Sequence, residues 1–320
     1  LLYTWKGSRS ELKPVLLMGH FDVVPADPAT LTDWKHPPFS GKITKKYIWG
    51  RGTLDNKNQV IGTLEAVEKL LEEDYQPERT VYLAFGHDEE IGGHKGAQEI
   101  VKVLRKSGVR LSAVLDEGGM VVEGIVPGVA SPVALIATVE KGYLTLELST
   151  EGTPGHSSSP PRQTAIGILA SALARIEATP MPSNTDYICQ LYRWVGNSAS
   201  LLYRLAFANL WLSGGIIKRL LSDSPKTNAI IRTTAAATVI SGGIKDNILP
   251  SEAAAKVNLR LLPGDSMEKV IQRIEKVIDD KRVKVRKTDD GAWNASKNSS
   301  TDSKVFKNLE RTVHQMFEGI

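Results

Sequence analysis

The sequence predicts an α/β protein whose first part has a largely parallel central sheet and whose second part is a two-layer unit of strands and helices. From Pro14 to about Val129, short apolar runs alternate with segments of helical periodicity. After Lys141-Gly142 the pattern changes to alternating strands accompanied by two helices. With 320 residues, 41% of them hydrophobic, the chain is long enough for one large core or two medium ones.

The first part contains three apolar runs that we predict to be strands, separated by two helix-like segments. Each of these runs ends in a polar residue that could bind a metal, and open α/β sheets place their ligands at the carboxyl ends of strands. The predicted strands are Val15–Met18, Thr80–Phe85 and Ser112–Leu115, and the predicted helices are Gln59–Leu71 and Gly96–Lys106.

The second part has alternating apolar and polar positions typical of strands, with helical patterns between them. The segment Pro180–Lys226 is an insertion that is mostly helical by pattern, and an amphipathic helix, Lys304–Phe317, lies near the end of the chain. The predicted strands are Tyr143–Thr150, Thr233–Ile240 and Ala253–Leu262, and the helices are Thr164–Ala178 and Met267–Asp279.

Composition excludes several classes of protein. The net charge of +4 is spread along the chain, and the basic stretch Lys281–Lys287 alternates with valines, which indicates the solvated face of a strand rather than a nucleic-acid site. The single cysteine, Cys189, rules out an internal disulfide framework. Leu201–Leu221 contains Arg204 and Lys218, so it falls short of a membrane span and favours an amphipathic helical pair.

A histidine and an aspartate follow the first predicted strand, two residues apart. In an extended segment His20 and Asp22 project to the same side. A metal-bound imidazole needs a carboxylate or carbonyl on its second nitrogen, and Asp22 is placed for that orienting role. The alternative is a polar strand end with an incidental histidine.

Asp55 ends a glycine-rich loop that leads into the first predicted helix. An aspartate can bridge two cations, because each carboxylate oxygen can bind one of them. Asp55 could equally cap the helix that begins near Gln59.

Three consecutive carboxylates follow the second strand, in Asp88-Glu89-Glu90, before a pair of glycines. Packing them together costs electrostatic energy unless a cation or a proton offsets it. Because adjacent side chains diverge, we predict that Glu90 binds metal and that Glu89 is the general base. An acidic helix start is the alternative, although it does not explain the glycines.

Asp116 follows the third strand and completes the predicted metal set of His20, Asp55, Glu90 and Asp116. Histidine and carboxylates without cysteine suit a catalytic zinc, manganese or cobalt site rather than a structural one.

These motifs resemble the metallopeptidase family that includes carboxypeptidase S, aminoacylase and carboxypeptidase G. Four segments are most similar to a secreted branch of that family that makes and hydrolyses N-fatty-acyl amino acids. They are Ala84–Gly93, Val114–Gly119, Gly155–Pro161 and Thr227–Thr234.

The resemblance implies a zinc-peptidase catalytic domain (1–138), an inserted lid or dimerisation domain (139–290) and the start of a returning catalytic segment (291–320). It implies two divalent metal ions, most simply Zn²⁺: one bound by His20 and Asp116, the other by Glu90, with Asp55 bridging through a cis peptide to the next residue. It also implies that His156 stabilises the oxyanion in the partner subunit's active site.

Arg260 lies on the strand face opposite the apolar residues, where it could bind a substrate carboxylate bidentately. The resemblance supports that role and suggests Asn228 as a further polar contact to the substrate. A small-molecule substrate and a homodimer are therefore the expected partners, without nucleic acid or a membrane span.

The expected activity is hydrolysis of amide bonds in N-acyl amino acids or short peptides with a free carboxylate, through metal-activated water and a glutamate base. Fatty-acyl amino acid synthesis is the reverse reaction. The family's last metal-binding histidine lies far downstream and His314 is too early, so we expect the chain to be truncated at both ends and, alone, impaired.

Two further questions stay open at the level of sequence. An apolar stripe in the insertion either lines a channel for an acyl chain or simply packs a helix; it comprises Leu201, Leu202, Tyr203, Phe207 and Trp211. The alternative function is a non-catalytic protein that binds acyl amino acids or lipids. A secreted or lumenal location is suggested by the resemblance and by the triplets that begin at Asn294 and Asn298.

Overall fold

A computed structural model describes residues 1–288 and 291–320. Within them the chain divides into two compact units, Leu1–Gly118 and Gly119–Ile320. Both contain sheets and helices, so the predicted α/β class is confirmed. The domain borders at 138/139 and 290/291 stay predictions, and position 290 lies outside the described residues.

The first unit contains a four-stranded sheet in the order β1-β5-β2-β6. Strand β2 runs parallel to β5 and β6, whereas β1 is antiparallel to β5, so the sheet is mainly parallel, as predicted. The elements are β1 (Leu2–Trp5), β2 (Val15–His20), β3 (Lys42–Ile43), β4 (Ile48–Trp49), α1 (Lys57–Glu72), β5 (Val81–Gly86), α2 (Ala97–Lys106) and β6 (Ala113–Leu115), with 3-10 turns at Pro28–Asp33 and Glu89–Ile91.

The core of this sheet forms because apolar residues occupy its covered positions. Leu16 and Ala84 on the strands and Leu104 on α2 make one buried cluster. Parallel strands bring their carboxyl ends to one edge of a sheet. Consequently the carboxyl ends of β2, β5 and β6 lie at the same edge, and with them several of the predicted metal-site residues, namely His20, Glu89, Glu90 and Asp116.

The second unit is built on an antiparallel sheet in the order β11-β13-β9-β14. Helices α3 and α8 pack on it and on each other, so the predicted two-layer unit is present. The elements are β7 (Met120–Val122), β8 (Val133–Leu135), β9 (Gly142–Glu151), β10 (Gly155–His156), α3 (Ala165–Ala178), α4 (Asp186–Val195), α5 (Leu201–Ala208), α6 (Leu210–Asp223), α7 (Pro225–Ile231), β11 (Thr234–Gly242), β12 (Ile248–Leu249), β13 (Glu252–Leu261), α8 (Met267–Ile278), β14 (Val283–Lys287) and α9 (Lys304–Met316).

Strand β14 is the basic stretch that the sequence placed on a solvated strand face. Its exposed cations pair across the sheet with acids of β9: Lys284 Nζ lies 2.5 Å from Glu151, and Arg286 lies 2.6 Å from Glu147. The alternation of valine and basic residues therefore has a structural explanation.

Helices α4 to α7 form the predicted helical insertion. Tyr203 and Phe207 pack against a buried cluster that these helices share, so part of the apolar stripe does serve packing. Leu201, Leu202 and Trp211 are instead exposed, by 69%, 75% and 84%. In the part of the chain that the structure describes, no helix combines the length and apolarity needed to cross a membrane.

Candidate metal centre

His20 is the centre of a group of carboxylates in the first unit. It is the last residue of β2, and its ring is almost completely buried. Its Nδ1 lies 3.2 Å from the main-chain oxygen of Asp22 and 3.3 Å from Asp22 Oδ1, while Nε2 lies 3.0 Å from Asp55 Oδ1. The hydrogen bond is to the carbonyl, so Asp22 orients the ring through its main chain, while its nearby Oδ1 makes no hydrogen bond within the described residues.

Asp55 faces His20 and does not cap helix α1. The helix begins at Lys57, and its N-cap residue is Asn56, without a side-chain cap. The peptide between Asp55 and Asn56 is cis, as the resemblance implied. Asn56 is buried and its Oδ1 accepts from the His20 N–H at 3.3 Å, which fixes the loop against the end of β2.

Glu89 and Glu90 lie on the short 3-10 turn that follows β5. Glu89 Oε2 is 3.7 Å from His20 Nε2, and ligand atoms of His20, Glu89 and Glu90 all lie within 4.8 Å of one another. The N–H of Glu90 donates to Asp22 Oδ2 at 3.0 Å. Asp22 therefore positions both the imidazole and the turn that carries the two glutamates.

Asp88 stabilises this turn through hydrogen bonds, a role that sequence reasoning missed. It is buried, and its Oδ2 accepts from the Lys95 N–H at 2.6 Å, while its main-chain oxygen accepts from the Gly93 N–H at 2.7 Å. A Cβ at Gly96 would lie 2.4 Å from Asp88 Oδ1, so only glycine leaves room for the carboxylate. The available signal was its position next to the glutamate pair and the following glycines.

Glu117 is a second residue that sequence reasoning missed. Its Oε2 lies 3.3 Å from His20 Nε2, and it forms a group with His20 and Asp55 in which the ligand atoms lie within 4.8 Å. Asp116 is exposed, its Oδ1 accepts from the Glu117 N–H at 3.0 Å, and it belongs to neither group. The signal was the acidic pair Asp116-Glu117 after β6. Metal binding by Asp116 stays a prediction.

Burial, and then neighbouring acids, raise the proton affinity of two of the carboxylates. Burial raises the pKa of Glu117 to about 7, with Asp55, Glu89 and Asp116 adding to the effect and His20 opposing it. Burial and then its acidic neighbours likewise raise the pKa of Glu89, again against His20. Burial lowers the pKa of His20, but Glu117, Glu89 and Asp22 outweigh it, so that pKa is raised too.

This arrangement fits a divalent metal ion. One imidazole nitrogen and several carboxylate oxygens converge, and a bound cation would favour the ionised form of Glu117, whose pKa is raised in its absence. Imidazole and carboxylate ligands without cysteine suit catalytic zinc, manganese or cobalt.

The metal-free chain is expected to lose stability as pH rises. A group whose pKa is higher in the folded state binds more protons there than in the unfolded chain, so folding is favoured at low pH. For Glu117 that contribution is lost between its usual 4.5 and about 7, and the raised values of Glu89 and His20 act in the same direction. Urea unfolding at pH 5.5 and pH 8 measures the difference. Glu117→Gln should reduce it, and equal stability at both pH values would contradict the prediction.

The remaining predicted site residues lie in the second unit. Arg260 Cζ lies 4.8 Å from the centre of the Tyr143 ring, and Tyr143 stacks on Trp293 at 5.0 Å. Asn228 is half-buried on α7. Lys141 Nζ donates to the main-chain carbonyls of Ala229 and Arg232, at 3.0 and 3.1 Å.

The positive charges of Lys141 and Arg260 therefore act on each other in the second unit. Burial lowers the pKa of Lys141, and the charge of Arg260 lowers it further, whereas Asp265 opposes them. An anion bound beside Arg260 would relieve this repulsion. His156, on β10, is exposed and hydrogen-bonds to Ser158.

Comparison with known proteins identifies relatives along the whole chain. The model of peptidase family M20/M25/M40 matches residues 16–320. An N-fatty-acyl-amino acid synthase/hydrolase of Xenopus tropicalis is 43% identical over 99% of this chain and 62% of its own length. The probable carboxypeptidase S-like 2 of Dictyostelium discoideum is 44% identical over 100% of this chain and also 62% of its own length. The chain thus spans less than two thirds of these relatives.

Solved structures show the same fold at low sequence identity. An M20 family metallo-carboxypeptidase from Sulfolobus solfataricus has a TM-score of 0.65 and 20% identity, covering 98% of this chain and 71% of that one. Human carnosine dipeptidase 1 has a TM-score of 0.61 and 17% identity, covering 99% and 69%.

Proposed function

The chain belongs to peptidase family M20/M25/M40, and from that membership we propose that the full-length protein is a metal-dependent hydrolase of amide bonds in N-acyl amino acids or short peptides with a free carboxylate. The observation that carries the proposal is the convergence of three carboxylate oxygens, of Asp55, Glu117 and Glu89, within 3.0 to 3.7 Å of one buried histidine nitrogen.

We propose that the full-length protein binds two divalent ions, Zn²⁺ in both cases. His20, Asp55 and Asp116 would hold one, and Asp55 and Glu90 would contribute to the other, whose ligand set is incomplete among these residues. Glu117 is an additional candidate ligand, because its carboxylate groups with His20 and Asp55. When bound, such ions supply a Lewis acid for the substrate carbonyl and lower the pKa of a water molecule. The positive charge of the bound ions would also offset the repulsion among the carboxylates of the site.

Glu89 is the proposed general base. Its carboxylate is about half exposed, so water can reach it. Its pKa is raised, which makes it a stronger base than an ordinary glutamate and suits it to take a proton from water. As the water oxygen bonds to the carbonyl carbon and the carbon–nitrogen bond breaks, Glu89 returns that proton to the leaving nitrogen. Asp22 supports this step by holding the turn through the Glu90 N–H.

Arg260 is the proposed contact for the substrate carboxylate, with Asn228 as a further polar contact. The guanidinium carbon lies 4.8 Å from the centre of the Tyr143 ring, a cation–π contact that supports the side chain from one side. His156 is proposed to donate a hydrogen bond to the oxyanion of a second copy's substrate, in line with the lid role that the resemblance implies.

Replacing Arg260 by lysine is expected to lower kcat/KM about 10- to 100-fold, mainly through KM, since a charge-assisted pair contributes roughly 1.5–3 kcal/mol. The loss should disappear for a substrate whose carboxylate is a methyl ester. Arg286→Lys, at an exposed position of strand β14 in the same sheet, is the matched control and should behave as wild type. An equal loss with the ester would remove Arg260 from carboxylate binding.

A homodimer through the second unit is the proposed assembly. Strand β11 is an edge of its sheet, it is exposed over most of its length, and edge strands can pair with another chain. A secreted or lumenal location is also proposed, and Asn298 is exposed as a glycosylated residue must be.

The acyl group is either a fatty chain or a peptide. The exposed Leu201, Leu202 and Trp211 of the insertion could contact a long acyl chain. The zinc-loaded full-length protein is expected to release phenylalanine from both a long-chain N-acyl-phenylalanine and a blocked dipeptide, and the ratio of the two rates identifies the preferred class. Chelation should abolish both. Binding of the acyl amino acid without any hydrolysis would favour the non-catalytic alternative.

A further inference from the structure

The segment around His156 holds its ring in one orientation. His156 pairs with Ile248 across the short β10–β12 ladder, and the next residue donates its N–H to the carbonyl of Asn247 at 3.1 Å. Ser159 N–H then donates to the His156 carbonyl at 3.1 Å, which closes a turn over residues 156–159. The main chain on both sides of the imidazole is therefore fixed.

The main-chain N–H and the hydroxyl of Ser158 both contact one ring nitrogen of His156, Nδ1. The Ser158 N–H donates to His156 Nδ1 at 3.2 Å, and Ser158 Oγ lies 2.9 Å from that nitrogen. A main-chain amide can only donate, so Nδ1 must present its lone pair. In a neutral imidazole the single proton is then on Nε2, the nitrogen on the other side of the ring.

We propose that the turn His156–Ser159 fixes His156 as the Nε2–H tautomer, and that Ser158 is the positioning residue that does so. The turn thereby presents a hydrogen-bond donor at Nε2 on an exposed side chain. A donor is what an oxyanion requires, whereas the opposite tautomer would present a lone pair to it. This use of the tautomer rests on the function proposed above, but the tautomer itself does not.

Ring-nitrogen NMR of the whole chain, labelled with ¹⁵N in its histidines, tests the tautomer without any activity assay. The chain has six histidines, and the signals lost in His156→Gln identify His156. For the neutral ring we expect the ¹⁵N shift of an unprotonated nitrogen at Nδ1 and that of a protonated nitrogen at Nε2. The reverse pattern, or two averaged shifts, would overturn the proposal.

Variants of Ser158 test the positioning role in the full-length protein. Ser158→Ala keeps the N–H but loses Oγ, so the two ¹⁵N shifts should move toward each other and kcat should fall about 3- to 10-fold with KM unchanged, as expected for loss of about 1 kcal/mol of hydrogen bonding. Ser158→Thr should restore both. Ser157→Ala is the matched control. Unchanged shifts and kcat in Ser158→Ala would contradict the role of Ser158.

Two failures can be told apart. If the Nε2–H tautomer is found but His156→Gln hydrolyses substrate as fast as wild type, the oxyanion role of His156 is wrong and the tautomer stands. If His156→Gln is slow but the wild-type ring shows averaged shifts, the oxyanion role stands and the fixed tautomer is wrong.

Discussion

Replacing Glu89 by glutamine in the full-length protein is expected to lower kcat about 10³-fold while metal content stays the same. A positioned general base contributes typically about 10²- to 10⁴-fold, and glutamine keeps the volume of the side chain but cannot accept the proton. Because Glu89 faces His20 from 3.7 Å and is about half exposed, its loss should not unfold the first unit. Steady-state kinetics together with metal analysis of the purified variant measure the effect.

The control is Glu65→Gln, at an exposed position of helix α1, which should leave kcat within about twofold.

Glu117 is the competing candidate for the base. Its pKa of about 7 suits proton transfer at neutral pH, and its Oε2 is nearer to His20 Nε2 than that of Glu89. Glu117→Gln separates the two. If Glu89→Gln retains more than a tenth of the wild-type kcat and Glu117→Gln does not, the base has been assigned to the wrong glutamate.

Much of the fold could be predicted from the sequence because its signals are local. The strand predicted at Val15–Met18 begins where it was predicted and runs two residues further, to His20. The helix predicted at Gln59–Leu71 is longer by two residues at its start and one at its end, Lys57–Glu72. The antiparallel edge strand β1 was not predicted, since Leu2–Trp5 is short and only half-buried against Val81 to Ala84. Its pairing depends on a partner some 80 residues away, about which local periodicity carries no information.

The candidate site, like the fold, could be predicted from the sequence only in part. Parallel strands ending at one edge predicted that the residues after β2, β5 and β6 would meet, and His20, Glu89 and Glu90 do. Whether Asp116 or Glu117 turns toward His20 depends on the main-chain path of the loop after β6, which includes Gly118 at φ 105°. The role of Asp88 depends on the close approach of Gly96. Both are tertiary facts that spacing alone does not contain.

Replacing Asp55 by asparagine is expected to reduce bound metal from two ions to one or none and to lower kcat/KM by about 10³-fold or more. A bridging carboxylate offers one charged oxygen to each ion, and metal ions contribute several kcal/mol to stabilising the transition state, with each tenfold in rate worth about 1.4 kcal/mol. Asparagine keeps an oxygen that could still face His20 Nε2, where Asp55 Oδ1 now lies at 3.0 Å, but it removes the negative charge.

Zinc titration of the metal-free full-length protein, followed by calorimetry and by metal analysis, measures the number of ions bound. Asp33→Asn, at an exposed position of the same unit, is the matched control and should bind zinc as wild type does. Two outcomes separate the assignment from the wider proposal. An Asp55→Asn protein that binds two ions and remains active would show that Asp55 does not bridge, whereas one that binds two ions but is inactive would place Asp55 in the chemistry rather than in metal binding. Loss of one ion with residual activity would show that Asp55 is needed to hold both ions and that a single ion still supports some catalysis.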